Sequence, residues 1–250
     1  PIRVLHLTDP HLFADKAGEL RGTVSDSSRA RVRDHYRNDG WSADLVMATG
    51  DLIQDDSAEA YELFRDLLTD LELPVACIPG NHDVRTLMRA ALSDAPFSYC
   101  PNLRIGAWLL VSVDSCVDGK AGGHVSENDL EQLRAVIAGS DAEHIAVFLH
   151  HPPVPMGSRW LDSVGLENAE ALMNLLQADA RVSLAVFGHV HQAYDARHGG
   201  VRLIGTPSTC TQFKPRSTLF ATDDRPPAYR RLTFLPDGQI ETELEWVDEN

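Results

Sequence analysis

Five short apolar runs, residues 2–7, 44–48, 73–78, 145–149 and 184–187, each lead into a block of polar residues with chemistry of its own. The blocks are Asp9-Pro10-His11, Gly50-Asp51, Gly80-Asn81-His82-Asp83, His150-His151 and Gly188-His189-Val190-His191. Runs this short and this rich in Val, Ile, Leu and Phe predict buried strands. Helical patterns separate most of them, so the strands are expected to pair largely in parallel, with their carboxyl ends along one edge. The blocks then meet in one crevice. What meets there is a mixed oxygen and nitrogen set too large for one tetrahedral ion, and a two-metal site is the economical reading.

The rest of the chain fills in around these strands. Residues 26–37 are polar and weakly amphipathic. Asp56 precedes Ser-Ala-Glu59, a cap pattern, and Tyr61, Phe64, Leu67, Leu68 and Leu71 then recur at helical spacing. Further helices are predicted over 84–92, from the capping box Ser126-Glu-Asn-Asp129 to about Ala138, and from Asn168 onward, with a strand at 108–113. After His191 the pattern becomes strands alone: 201–204, 218–221, 229–235 and 239–246, the last two flanking the hairpin signal Pro236-Asp237-Gly238. A second, largely antiparallel sheet packed on the first accounts for the change. The expected fold class is α/β, a two-sheet β-sandwich flanked by helices, in one domain over residues 1–250.

Taken singly the blocks are weak signals. Gly50-Asp51 also suits a strand-ending turn in which Gly supplies positive φ and Asp caps a helix. Asn81 and Asp83 also suit a turn, and His189 and His191, at alternate positions, also suit a pair of surface histidines. Their common order at five strand ends points to metal. His151 follows His150 on extended chain and is expected to point the other way, beside the site or at the surface. His124 is expected on a surface loop and His6 in the core with its hydrogen bonds satisfied. Cys77 and Cys210 read as inert packing.

The ordered blocks resemble the calcineurin-like metallophosphoesterase superfamily, whose pattern D-x-H, G-D, G-N-H-D/E, H and G-H-x-H spans about residues 9 to 191 here. Leu149-His-His-Pro-Pro153, Trp160-Leu-Asp162, Leu166-Glu-Asn168 and the segment Gly205-Thr-Pro-Ser-Thr-Cys-Thr-Gln-Phe-Lys-Pro-Arg-Ser217 are similar to those of bacterial class III 3',5'-cyclic AMP phosphodiesterases. The resemblance implies the four-layer α/β/β/α metallophosphoesterase fold. It also implies Asp9, His11 and His191 on a first metal, Asn81, His150 and His189 on a second, and Asp51 bridging them. The implied nucleophile is a hydroxide shared by two divalent ions. His82 is the implied catalytic acid at the leaving oxygen and, with Asn81, a substrate contact; Asp83 orients His82 or the loop. Iron or manganese is favoured, with zinc or cobalt admitted by the same ligands. Pro10 stands where the family often has Thr or Ser, and costs a backbone donor but no ligand.

Within 206–216, Ser208, Thr209, Gln212 and Phe213 are either nucleotide contacts, Phe213 offering an aromatic face, or parts of a loop joining the sheets. The function expected is hydrolysis of 3',5'-cyclic AMP to 5'-AMP. The rivals are another small diester, such as a 2',3'-cyclic nucleotide or a glycerophosphodiester, and a non-catalytic metal-binding interaction module. A protein phosphatase is disfavoured because Gly50-Asp51-Leu-Ile-Gln lacks the Asp-Arg-Gly continuation of that branch. A formal net charge of -15 argues against nucleic acid as a partner. No apolar run approaches the ~20 residues of a membrane helix. The first residues are too short and too charged for a signal peptide, and Cys77, Cys100, Cys116 and Cys210 form no CxxC pair. A cytoplasmic protein with reduced thiols is expected, as a monomer or homodimer.

Overall fold

Ile2–Leu7 pairs in parallel with Leu45–Thr49, which pairs in parallel with Val75–Ile78. His144–Leu149 and Val182–Phe187 form a second parallel pair, in a separate sheet. The computed structural model describes residues 1–248. The first sheet runs Ile240–Trp246, Ala228–Phe234, Ile2–Leu7, Leu45–Thr49, Val75–Ile78, Phe97–Tyr99. The second runs Tyr194–His198, Val201–Gly205, Val182–Phe187, His144–Leu149, Trp108–Ser112, Asn102–Ile105.

The central strands are apolar on both faces because both faces are covered. Val4, Met47, Ala76 and Ile78 of the first sheet meet Leu110, Ala146, Phe148, Leu184 and Val186 of the second. Their alternate neighbours Leu5, Val46, Ala48 and Cys77 pack outward against Val32 and Tyr36 of helix Ser25–Asn38 and Tyr61, Phe64 and Leu68 of helix Ala58–Thr69. Ile145, Val147 and Ala185 pack outward against Leu130, Leu133 and Ile137 of helix Glu127–Gly139 and Leu172 and Leu176 of helix Ala169–Gln177. This is the expected sandwich between helical layers.

Its internal division differs from expectation. The five site strands are split between the sheets, and each sheet is mixed. Tyr194–His198 turns back through Gly199 and Gly200 into Val201–Gly205, so this strand arrives parallel to Val182–Phe187. The last hairpin joins the first sheet, antiparallel to Ile2–Leu7. The strand expected at 218–221 is absent: Leu219 and Phe220 are exposed, and the short pair there is Gln212–Phe213 with Thr222–Asp223. Ser57, not Asp56, caps the second helix, its hydroxyl accepting from the Ala60 N–H. Ser126 accepts from the Asp129 N–H, as its pattern predicts. Asn168 makes no side-chain cap and instead holds both backbone groups of Val125. Among the described residues no helix is long and apolar enough to cross a membrane.

Candidate active site

The carboxyl ends of the five site strands open on one crevice, and the chain turns sharply as it leaves each. Asp9, His11, Asp51, His189 and His191 hold φ of 54°, 47°, 50°, 67° and 47°. This left-handed region is uncommon for residues with a Cβ, Asp and His being among those that enter it more readily. Cross-strand backbone bonds fix the turns, the Asp9 N–H donating to Gly50 O and the His11 N–H to Asp51 O, each at 3.0 Å. Glycine is required where the strand ends converge. A Cβ on Gly80 would lie 2.2 Å from Asp51 N and Oδ1, and one on Gly188 2.0 Å from Thr8 Oγ1.

Three of the four imidazoles, those of His150, His191 and His11, are aimed by what their outer nitrogen meets. Nδ1 of His150 lies 2.7 Å from Thr49 O, and Nδ1 of His191 2.5 Å from Thr211 O. A carbonyl can only accept, so both rings carry their proton on Nδ1 and turn the Nε2 lone pair inward. His11 Nδ1 donates to Gln54 Oε1 at 2.8 Å, with the same result. The inward atoms then form two groups. His11 Nε2 lies 3.1 Å from His191 Nε2, which is 3.3 Å from Asp9 Oδ1. His150 Nε2 lies 3.3 Å from His189 Nδ1 and 3.2 Å from Asn81 Oδ1. Between the groups, Asp51 Oδ2 is 3.4 Å from His150 Nε2 and 3.7 Å from His11 Nε2.

Lone pairs face lone pairs at hydrogen-bond distance in both groups, with too few donors between them. Among protein groups alone the conflict is relieved by protonation. Burial acts against a charged His150, but the Asp51 carboxylate outweighs it and pushes the imidazole up to about 9. Burial holds His11 down at about 4 and His189 at about 3. Burial would raise Asp9, yet His191 draws it down to about 2; Asp51 goes well below the carboxylate range, chiefly because of His150. A cation in each group satisfies the same lone pairs without protons, and the O/N donor set fits divalent metals. Four overlapping His/Asp groupings in the crevice have ligand atoms within 4.8 Å of one another.

The remaining residues singled out in the sequence fall around this cage. His82 is half-buried at the mouth, its ring edge-on to His11 with centroids 5.1 Å apart and its Nδ1 3.3 Å from Gln54 Nε2. Asp83 orients the loop and not His82: its carboxylate accepts from the Gly80 and Leu52 N–H groups and the Tyr61 hydroxyl. Burial and the Asp51 charge push it up to about 7. Asp51 caps no helix; it accepts from the His82 N–H at 2.8 Å. His151 is buried beside the site with both nitrogens engaged, by Ser115 Oγ and Ala121 O. His124 faces Glu167 at the surface. Cys77 and Cys210 are buried, which raises both thiols.

Phe213 lies flat on His191, centroids 3.9 Å apart and planes 8° from parallel, with Trp160 and Phe220 edge-on to it. Ser208, Thr209 and Gln212 are buried loop residues. Ser208 donates to Asp9 O, Thr209 to Thr8 O, and Gln212 bonds Ser208 and Pro226. Of the two readings of that segment, the loop between sheets describes these three. Thr8, Thr49 and Gln54 were not singled out in the sequence as site residues, and the helical spacing that marks Tyr61 assigns it to the core and not to the site. Gln54 follows Asp51 by three residues and is the one member inside a recognised block.

The calcineurin-like phosphoesterase family model matches residues 2–193, and the chain belongs to that family. It is 39% identical over 244 residues to the 3',5'-cyclic adenosine monophosphate phosphodiesterase CpdA of Escherichia coli K12, covering 97% of this chain and 89% of the relative. The Pseudomonas aeruginosa protein of the same name is 36% identical over 248 residues, covering 99% and 91%. Among solved structures, a dimetal phosphatase from Danio rerio superposes with a TM-score of 0.69 over 99% of both chains at 17% identity, a likeness of fold.

Proposed function

We propose that this phosphoesterase hydrolyses 3',5'-cyclic AMP to 5'-AMP, with Asp9, His11 and His191 holding one divalent metal ion, Asn81, His150 and His189 a second, and Asp51 reaching both. The observation that carries the substrate is near-full-length similarity to relatives named for that reaction. The acceptor-only crevice supports the metals. Iron or manganese is the proposed pair, and zinc or cobalt suits the same donors. Two such ions, when bound, supply Lewis acidity that activates water and neutralises phosphoryl charge.

The chain's own residues do the rest. The outer bonds from Thr49, Gln54 and Thr211 hold His150, His11 and His191 in the tautomer that presents Nε2, so that part of the cage does not reorganise as charge develops. Gln54 donates to His82 Nδ1, which leaves Nε2 to carry the proton. From the mouth of the crevice that N–H would hydrogen-bond the leaving 3'-oxygen as its negative charge builds, with water supplying the proton that completes the alcohol, a contribution of roughly 10²- to 10³-fold. Asn81 contacts the phosphate, and Phe213, half-buried and backed by His191, offers the exposed part of its ring to the base.

The test is turnover of cyclic AMP by the protein loaded with iron or manganese, against metal alone and against 2',3'-cyclic and base-free diesters. The 3',5'-diester is expected to have the highest kcat/KM. Phe213→Ala should raise KM for cyclic AMP more than for a base-free diester. No turnover of cyclic AMP above metal alone, with another diester hydrolysed, would overturn the substrate. Inertness toward every diester would overturn the enzyme reading in favour of a binding module.

A further inference from the structure

Two polar groups lie in the apolar layer between the sheets, away from the cage. His6 is fully buried beside Phe148, ring centroids 6.2 Å apart. Arg230, its cross-strand partner, is buried as well. Among the described residues Arg230 makes no ion pair. Its guanidinium donates to neutral acceptors, Thr206 Oγ1 at 3.1 Å, Thr242 Oγ1 at 3.0 Å and Gly205 O at 3.1 Å. A buried cation spent on neutral oxygens is costly and calls for a reason.

The hydrogen bonds lead from this pair to the cage. Thr206 Oγ1 is 2.8 Å from His6 Nδ1, and His6 Nε2 is 2.8 Å from Thr49 Oγ1. Thr49 Oγ1 is 2.9 Å from Thr8 Oγ1, which is 2.6 Å from Asp9 Oδ2. Valence fixes every direction. An ionised carboxylate only accepts, so the Thr8 hydroxyl donates to Asp9 and accepts from Thr49. The single Thr49 proton is then used, so Thr49 accepts from His6 Nε2–H. His6 Nδ1 is therefore an acceptor, filled by the Thr206 hydroxyl, whose oxygen accepts from Arg230.

We propose that Arg230, Thr206, His6, Thr49 and Thr8 are a one-way hydrogen-bond relay that positions the Asp9 carboxylate for its ion. The inference rests on Asp9 being a metal ligand as proposed above. The relay commits Oδ2 to Thr8, where the His189 N–H also reaches it at 3.0 Å. The same N–H reaches Oδ1 at 3.2 Å, and Oδ1 faces His191 Nε2 at 3.3 Å and His11 Nε2 at 3.9 Å. A row of aligned donors ending on an anion polarises along its length, so the last bond is stronger than an isolated threonine's. Burial, with Arg230 beside it, keeps His6 down at about 3, so the ring stays neutral and the direction holds at ordinary pH. The relay members are positioning residues and touch no substrate.

The test uses the full chain. Ring ¹⁵N resonances of His6 in the metal-free protein should show Nε2 protonated and Nδ1 bare; a proton on Nδ1 would overturn the relay. Manganese titration should then show Thr49→Val, isosteric but without the hydroxyl, binding one of two ions roughly 10- to 100-fold more weakly while the other is kept, with Thr49→Ser restoring both. Thr206→Val, four links from Asp9, should act the same way, more weakly, and carries the measurement should Thr49→Val fail to fold. Unchanged binding of both ions in folded valine variants overturns the relay. Asp9→Asn separates the two readings: if it loses an ion while the valine variants do not, only the relay falls. If it too binds both ions normally, Asp9 is no ligand and the proposed metal assignment falls with it.

Discussion

Gln54→Leu isolates one bond at the edge of the cage. The side chains are similar in volume, and the Gln54 backbone N–H donates to Leu12 O at 2.7 Å whatever the side chain. What is lost is the acceptor 2.8 Å from His11 Nδ1 and the donor 3.3 Å from His82 Nδ1. A buried N–H left without an acceptor costs about 1–3 kcal/mol. Gln54 is only half-buried, so water can reach part of the gap, and the lower end, about 1.4 kcal/mol, applies. That figure is roughly tenfold in the affinity of the ion proposed for Asp9, His11 and His191. The longer bond to His82 is weak and adds no more than about twofold on turnover of poor leaving groups. Competitive metal titration of the two sites measures the first effect, and kcat with saturating metal the second. Gln54→Glu keeps the acceptor and should bind that ion at least as well as the native chain. Unchanged binding by Gln54→Leu, or a larger loss at the ion near His150, would refute the reasoning.

Asp51→Asn removes the carboxylate whose Oδ2 lies 3.4 Å from His150 Nε2 and 3.7 Å from His11 Nε2, and elemental analysis should find both ions depleted; two ions per chain with normal turnover would refute its shared role. His82→Ala should keep its metals, lose most activity toward poor leaving groups and retain more toward activated aryl esters; equal losses would refute the donor role. Gly188→Ala forces the Thr8 hydroxyl off Asp9, an overpacking cost of about 1–3 kcal/mol read as a fall in Tm together with weaker metal binding. His6 should make the fold acid-labile. Its imidazole goes from 6.5 to about 3 on folding, so the unfolded chain takes up the proton first, and stability falls as pH drops from about 6.5 towards 3, by up to roughly 4 kcal/mol. Denaturant midpoints of the native chain and His6→Gln across that window measure it, and parallel curves would refute it.

The site was legible because its chemistry sits on the covalent neighbours of the strands. An apolar run followed by Asp9 or His189 places a donor at a strand end with no knowledge of tertiary structure, and Ser126 before Asp129 marks a helix start equally locally. Sheet membership was not legible. Ile2 faces Phe234 and Val182 faces Ile145 through pairings whose partners carry no sequence label. At 218–221 apolar residues suggested a strand, but Leu219 and Phe220 remain at the surface, where pattern says nothing about burial. The outer bonds of the cage were hidden for a different reason. Thr8, Thr49, Thr206 and Gln54 are ordinary residues whose roles depend on which lone pair or proton they face, and the groups that aim His150 and His191 are the backbone carbonyls of Thr49 and Thr211, which no sequence pattern marks.

The same strand ends explain why the fold must be a sandwich. Five of the proposed ligands sit at positive φ, a strain of about 1–3 kcal/mol each where the side chain is not glycine. Such turns persist only when their surroundings over-determine them, and here backbone bonds tie them to neighbouring strand ends and, at Asp9 and His189, across to the other sheet. Asp9 is held by Gly50 O and by the His189 backbone, His150 by Thr49 O, and Thr209 returns to Thr8 O. One sheet alone would leave Asp9 without His189 and His150 without Thr49. The packing of Val4, Met47 and Ile78 on Phe148 and Val186 therefore fixes the register between two sets of lone pairs, each of which comes from both sheets.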